Sequence, residues 1–375
     1  MDIYLDNSAT TPLCKPAVDA MYKMMTETFG NPSSKHKPGN DAFDALKKAR
    51  RRVADAIGCN TEEVYFTPSG TTANNTAIFG AARLMGRRGK RIITTSLEHP
   101  SVKEPMKRLE SMGYEIVALP TNRDGKFSLS VLRSALTPGT ILVSMMLVNN
   151  EIGAINPIAD AAAMVKNSNC GALIHCDAVQ GFGKLDIKPS KLGVDLLTVS
   201  SHKIHGPKGA GALYIKKGLH LPAYILGGGQ ENGMFSGTEA TPAIAGFGAA
   251  AAALPSPREQ LAKTKKIRDD FIGMLGENNR IFVNSPADAL PYVINISIPG
   301  IPSEVLINYL SDNGIYVSAG SACKKGRRSD VLTAIGIAPQ RIDSAIRISL
   351  SRFTTAEDMC ALYTQLNEAT KIFLR

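Results

Sequence analysis

The sequence predicts an α/β protein: a large domain on a mostly parallel sheet, residues 1–254, followed by a smaller α+β domain, residues 255–375. Three observations carry this expectation. Short apolar runs rich in β-branched residues recur in the first part of the chain. They alternate with stretches of helical periodicity, the pattern of parallel strands joined by crossover helices. Chemically capable polar residues stand directly after several of these runs, at strand C-terminal ends, where such sheets bind ligands. Finally, Leu254-Pro255-Ser256-Pro257 punctuates the chain ahead of a long charged helical stretch over 258–275. A chain of 375 residues is long enough to bury the cores of two such domains.

In order, residues 3–12 read as a short strand and an Asn-Ser-Ala-Thr-Thr-Pro turn. Residues 16–29 read as a helix with Val18, Met21, Met24 and Met25 on one face. Turn residues fill 29–36, and a helix over 40–57 ends at Gly58. The strand 63–67 leads through Pro68-Ser69-Gly70-Thr71-Thr72-Ala73 into a helix over 74–85. Such a small-residue turn offers free N–H groups and a positive dipole end to a phosphate; it serves equally as the cap of a helix without a ligand. The strand 91–95 runs into Glu98-His99-Pro100. A histidine there can stack on an aromatic group and move protons near neutral pH, or it can be structural.

The apolar run 141–148 is a buried strand ending in Asn149-Asn150, residues that also suit an ordinary turn. After a helix over 158–169, Ala172-Leu173-Ile174-His175-Cys176 ends in Asp177, followed by Ala178-Val179-Gln180. The strand 194–199 closes on Ser200-Ser201-His202-Lys203, and Gly206-Pro207-Lys208-Gly209-Ala210-Gly211 turns the chain into a strand over 212–215. A glycine-rich loop, 226–239, and an alanine-rich helix, 240–253, complete the first domain. Strands near 292–298 and 347–350 belong to the second.

Read alone, Lys203 fits a solvated surface charge. Its setting suits a lysine that forms a Schiff base: a strand end, after Ser200, Ser201 and His202, which can contact a phosphate, and before small residues. Asp177, on the neighbouring strand, supplies a counterpart. Pyridoxal 5'-phosphate needs a lysine for its aldehyde and a carboxylate that keeps the pyridine nitrogen protonated. Taken singly, Asp177 is also a good helix N-cap.

Ser-Ser-His-Lys-Ile-His-Gly-Pro-Lys-Gly, with His-Cys-Asp-Ala-Val-Gln upstream, resembles the cysteine desulfurases of the class V aminotransferase group, above all the branch that feeds iron–sulfur cluster assembly. The resemblance runs nearly end to end, from Tyr4-Leu5-Asp6-Asn7-Ser8-Ala9-Thr10-Thr11-Pro12 to Ile346-Arg347-Ile348-Ser349-Leu350-Ser351-Arg352-Phe353-Thr354-Thr355. It implies the type I fold of pyridoxal-phosphate enzymes, with a seven-stranded sheet and the opening residues packed on the small domain. It also implies a homodimer that converts L-cysteine to L-alanine. The sulfur would be carried as a persulfide on Cys323 and passed to an acceptor protein, an iron–sulfur scaffold or a sulfur carrier.

By the same resemblance, Lys203 carries the cofactor, Asp177 meets the ring nitrogen and His99 stacks on the ring and shuttles protons. Gly70 and Thr71 take the phosphate, with Ser200 and His202 beside them and Gln180 in the cofactor site. Thr238 reaches the phosphate of the other subunit. Asn150 bonds the cofactor's phenolic oxygen or the substrate carboxylate, and Arg347 clamps that carboxylate, for which arginine is geometrically suited. The chain departs from the family pattern at Thr72, where an acid is frequent, and at Asn232 and Phe235, where arginines are usual. The stretch after Cys323 is shorter and more basic than usual. Rival readings are a selenocysteine lyase or another class V aminotransferase of the same fold, or a weakly active sulfur-carrier scaffold.

The bulk properties narrow the classes further. The net charge is +10, but the cations are scattered apart from 83–91 and 324–328, and no aromatics interleave with them, so nucleic-acid binding is not expected. No apolar run is long enough to span a bilayer and no secretory pattern opens the chain, so a cytoplasmic protein with no membrane partner is expected. The six cysteines, Cys14, Cys59, Cys170, Cys176, Cys323 and Cys360, form no Cys-x-x-Cys pair. Reduced thiols and no metal site are expected. Cys323 stands among cations, which lower a thiol's pKa.

Overall fold

The computed structural model describes residues 2–319 and 328–374. In chain order the strands are β1 (Ile3–Tyr4), β2 (Val64–Thr67), β3 (Arg91–Thr95), β4 (Glu115–Leu119), β5 (Thr140–Met146), β6 (Leu173–Asp177), β7 (Leu196–Ser200), β8 (Gly211–Ile215), β9 (Phe282–Val283), β10 (Val293–Ser297), β11 (Ile315–Tyr316) and β12 (Ala345–Ser349). Seven of them form one sheet in the order β2-β8-β7-β6-β5-β3-β4. Its neighbours from β4 to β7 are parallel, while β8 runs antiparallel to both β7 and β2. The reversal at β8 follows from connection length, because the few residues after Lys203 cannot make a crossover.

The central strands are fully buried. All of β5, β7 and β8 are shielded from solvent, which is why they read as continuous apolar runs rather than alternations. One face of the sheet packs Ile174, Phe182, Val199 and Phe247 beneath the helices Lys37–Ile57 and Thr241–Ala252. The other packs Ile78, Ile92, Ile141 and Leu196 beneath Gly70–Met85 and Pro100–Ser111. A separate core of Phe271, Ile294, Ile296, Leu306, Ile346 and Leu362 lies around the β9–β10–β12 sheet. The N-terminus is seated on this second unit: β1 pairs parallel with β11, and Asp6 bridges Ser349.

Two differences from the sequence expectation matter. The helix expected from residue 74 begins at Gly70, because Ser69 caps it by accepting from the Thr72 N–H at 3.0 Å. The early start puts the helix N-terminus at the strand ends. The stretch after residue 100, without an assigned element in the sequence, folds as the helix Pro100–Ser111, the edge strand β4 and the helix Leu129–Ala135. β4 is mostly half-exposed, which leaves its apolar pattern weak.

The glycine-rich loop is pinned rather than merely connected. Glu231 accepts from both terminal nitrogens of Arg50 at 2.6 and 2.7 Å and from the Phe66 N–H at 2.8 Å. Its side chain is only 5% exposed. Removing one partner of such a pair strands the other charge, so Glu231→Ala is expected to lower unfolding stability by about 3 kcal/mol. Urea titration of both proteins checks this, and a loss below about 1 kcal/mol would place the pair among ordinary surface bridges.

Candidate active site

The site assembles where β3, β5, β6 and β7 end. β6 ends at Asp177, paired with Thr198 of β7 across the parallel register. The carboxylate is held on both oxygens: Oδ1 accepts from the Val179 N–H at 3.0 Å and Oδ2 from Asn74 Nδ2 at 2.8 Å. The first contact is the local turn its capping chemistry suggested; the second comes from the helix Gly70–Met85. Two residues back, His175 is fully buried between Ser144 Oγ at 2.8 Å and Thr198 Oγ1 at 3.1 Å. Burial pushes it down to about 3, so it stays neutral.

β7 ends at Ser200, and one short 3₁₀ turn, Ser201–Lys203, presents the lysine. Lys203 Nζ donates to the carbonyls of Ser8 at 2.5 Å and Ala9 at 2.7 Å. Burial pushes its pKa down to about 8, with Arg347 adding to the effect and Asp6 and Asp177 opposing it. A sizeable fraction of the amine is therefore free near neutral pH. Behind it, Lys184 is also buried and is pushed down to about 7, first by burial and then by Lys203 and Arg347. His202 meets Thr10 Oγ1 through Nδ1 at 3.2 Å, and burial pushes it down to about 4.

His99 follows β3 and is the N-cap of the helix Pro100–Ser111, its Nδ1 accepting from the Ser101 N–H at 3.1 Å. Burial lowers its pKa first; Lys203 and Lys103 add to this and Asp177 opposes it. Beside it Glu98 is buried, its Oε1 accepting from Thr95 Oγ1 at 2.7 Å and the Met146 N–H at 2.9 Å. Oε2 has no partner. Burial pushes this carboxyl up to about 8.

Folding therefore binds a proton at Glu98 between the free-glutamate value and the folded one. The stabilisation is full below the free value and is lost as pH rises through about 8. Glu98→Gln is expected to flatten the fall of Tm between about pH 5 and about pH 8. Thermal scans across that range decide it, and parallel curves for the two proteins would refute a protonated Glu98.

Gly70 opens its helix against the strand ends; a Cβ there would meet Val179 Cγ2 at 3.0 Å and Ser200 Cβ at 3.3 Å. Ser200 Oγ and Gln180 Oε1 are buried without hydrogen-bond partners, while Gln180 Nε2 donates to the Ser8 carbonyl at 3.0 Å. Arg347, 4% exposed, pairs with Asp6 Oδ1 at 2.7 Å and donates to the Asn150 carbonyl at 3.2 Å. The structure thus brings Gly70, Thr71, His99, Asn150, Asp177, Gln180, Ser200, His202, Lys203 and Arg347 to the strand ends and the N-terminal segment beside them. Thr238 is exposed on the glycine-rich loop.

Cys323 lies outside the described residues. Both ends of the segment that carries it are held at the site. Ser318 exchanges backbone hydrogen bonds with Arg347 at 2.6 and 3.2 Å. Ser329 Oγ donates to Glu151 Oε2 at 2.5 Å, next to Asn150. Of the flanking cations, Arg328 is committed to Asp343 at 2.7 Å.

Sequence reasoning missed Asn74, Ser101 and Asp6, because each bonds across distant segments. Two of the three residue departures, Asn232 and Phe235, have local reasons. Asn232 adopts a left-handed conformation, φ 55°, which asparagine tolerates. Phe235 is buried against Tyr224, ring centroids 5.4 Å apart, in a place that would strand a charge. Among the described residues no cluster could hold a metal ion, no cysteines are joined, and no helix is long and apolar enough to cross a membrane.

Comparison with known proteins places this geometry in context. Residues 3–362 match the aminotransferase class-V family. A protein of Methanosarcina thermophila named cysteine desulfurase IscS is 41% identical over 361 residues, which cover 95% of this chain and 89% of that protein. A solved NifS-like protein superposes with a TM-score of 0.93 at 35% identity, covering 99% of this chain and 100% of the other. SspA, solved in complex with cysteine, gives 0.84 at 33% identity over 94% of this chain and 100% of its own.

Proposed function

The chain belongs to the aminotransferase class-V family, among its cysteine desulfurases, and on that premise we propose that it converts L-cysteine to L-alanine with pyridoxal 5'-phosphate as cofactor and Cys323 as the sulfur-receiving thiol. The observation that carries this reading is the pair of adjacent parallel strand ends, with a buried Lys203 of depressed pKa on one and a doubly anchored Asp177 on the other.

The residues present fit the cofactor. The first-turn N–H groups of Gly70 and Thr71, the unpartnered Ser200 Oγ and the neutral His202 suit its phosphate. Lys203 would hold its aldehyde carbon, Asp177 the proton on its ring nitrogen, His99 its ring face, and Gln180 and Asn150 its polar edge. Thr238 would reach the phosphate in the other subunit of a homodimer. When bound, the cofactor supplies an electron sink for the pair released as the substrate Cα–H bond breaks.

The chain's own groups do the rest. Arg347, oriented by Asp6, binds the substrate carboxylate, with Asn150 alongside. Lys203, with its depressed pKa, takes the Cα proton. His99 exchanges protons with the substrate. The Cys323 thiolate attacks the substrate sulfur: an S–S bond forms, the Cβ–Sγ bond breaks, and its electron pair stays with the carbon that becomes alanine's methyl group once protonated. The anchoring of both ends of the Cys323 segment at Arg347 and Glu151 supports this assignment. The persulfide then passes to an acceptor protein. The unpaired described cysteines suit a reducing cytoplasm.

The deciding experiment incubates the purified holoprotein with L-cysteine and a thiol reductant while sulfide and alanine are measured. Equal yields of the two are expected. Cofactor absorbance that responds to cysteine without sulfide would overturn the sulfur-transfer step and leave the lysine centre in place.

A further inference from the structure

Between the two best-defined groups of the site runs a chain of hydrogen bonds through residues that the proposed reaction does not use. Asn74 Nδ2 donates to Asp177 Oδ2 at 2.8 Å and to Ser101 Oγ at 2.9 Å. Ser101 Oγ lies 2.8 Å from His99 Nδ1, and the Ser101 N–H donates to the same nitrogen at 3.1 Å. Asn74 is 1% exposed and Ser101 7%.

The directions of these bonds follow from what each atom can do. An ionised Asp177 only accepts, which sets the Asn74 amide with its NH₂ toward the carboxylate. The second amide hydrogen goes to Ser101 Oγ, leaving that hydroxyl's own hydrogen for His99 Nδ1. The Ser101 N–H can only donate, and it points at Nδ1 as well. Nδ1 is therefore an acceptor, and the proton of the neutral imidazole sits on Nε2. Protonating Nδ1 would set two donors against each other and break the helix cap, at a helix N-terminus that already disfavours positive charge.

We propose that Asn74 and Ser101 are positioning residues that hold His99 as a neutral imidazole protonated on Nε2 while fixing Asp177 in place. The site then meets a hydrogen-bond donor at His99 Nε2. Every bond in the chain points from Asn74 outward, so Asn74 orients the acid and the imidazole at once. The charged groups facing His99 are Asp177, Lys203 and Lys103, and they remain unchanged in the variants below. The catalytic consequence rests on the desulfurase reading; the tautomer does not.

The test uses histidine labelled with ¹⁵N in the holoprotein, His99 being assigned by His99→Gln, with long-range ¹H–¹⁵N spectra recorded across a pH titration. The expected wild-type pattern is a protonated Nε2 and an unprotonated Nδ1 throughout the neutral form. Ser101→Ala leaves only the backbone N–H facing Nδ1, so it is expected to admit a fraction of the Nδ1–H tautomer and to raise the His99 pKa. Ser101→Thr should restore the wild-type pattern. Asn74→Leu should leave the serine hydroxyl free to rotate and mix the tautomers as Ser101→Ala does. A wild-type Nδ1–H form, or a pattern unmoved in both Ser101→Ala and Asn74→Leu, would overturn the proposal. Sulfide release measured on the same samples reports on the desulfurase reading separately. A single Nε2–H tautomer without sulfide would sink that reading and keep this one.

Discussion

Lys203→Ala is expected to lower sulfide and alanine formation by about three orders of magnitude or more, and to lose cofactor absorbance on desalting. Two proposed roles meet in this side chain, covalent attachment of the cofactor aldehyde and removal of the Cα proton, and each would be worth a factor of about 10² or more. Neither passes to a neighbour. His202 sits beside it but is neutral and bonded to Thr10. Lys184, the nearest other buried amine, lies behind Lys203 among Phe182, Tyr292 and Arg352. Lys203→Arg keeps the charge and should fail equally, because a guanidinium neither condenses with an aldehyde nor releases its proton.

Loss through misfolding can be separated from loss of chemistry. The folded pKa of Lys203 lies below the free value, so folding releases a proton from this group and its charged form is disfavoured in the protein. Alanine removes that penalty, and with both proteins cofactor-free Tm should hold or rise. A variant that stays folded and retains more than about a tenth of wild-type turnover would remove Lys203 from the mechanism.

Cys323→Ser is expected to lose sulfide release by about a hundredfold or more while keeping the cofactor absorbance and its response to L-cysteine. A serine hydroxyl is almost wholly protonated at neutral pH and is a poor partner for sulfur, whereas a thiol ionises far more readily, the more so with lysines next to it in the sequence. The split between an intact response and lost sulfide is the informative result, because damage at Lys203 or Asp177 would remove both. Turnover within about tenfold of wild type would send the sulfur directly to solvent or to the acceptor. Arg328 is engaged by Asp343, so Arg328→Ala should change the thiol's pKa less than Lys324→Ala does.

Much of the fold was legible. The buried parallel strands announce themselves as apolar runs, and their polar followers, Asn150, Asp177 and Lys203, stand at strand ends because a chain leaving a parallel sheet turns there. The reversal at β8 could be read from the short connection alone. Less legible were the half-exposed β4, whose burial is too slight to impose a period, and the start of the helix at Gly70, where one serine cap outweighs a run of poor helix formers.

By itself, the sequence showed the alternation of most strands and helices, and it pointed to Lys203, Asp177 and Cys323 as candidates and to the departures at Thr72, Asn232 and Phe235. Only the tertiary structure decided how those groups are tuned. Asp6 meets Arg347 from 341 positions away, and Asn74 meets Asp177 from 103. Pairings of that range leave no periodicity to read. The depressed pKa of Lys203, the raised one of Glu98 and the proton position on His99 come from burial and from directed hydrogen bonds. Both exist only once the strand ends, the helix start at Gly70 and the N-terminal segment have been packed against one another.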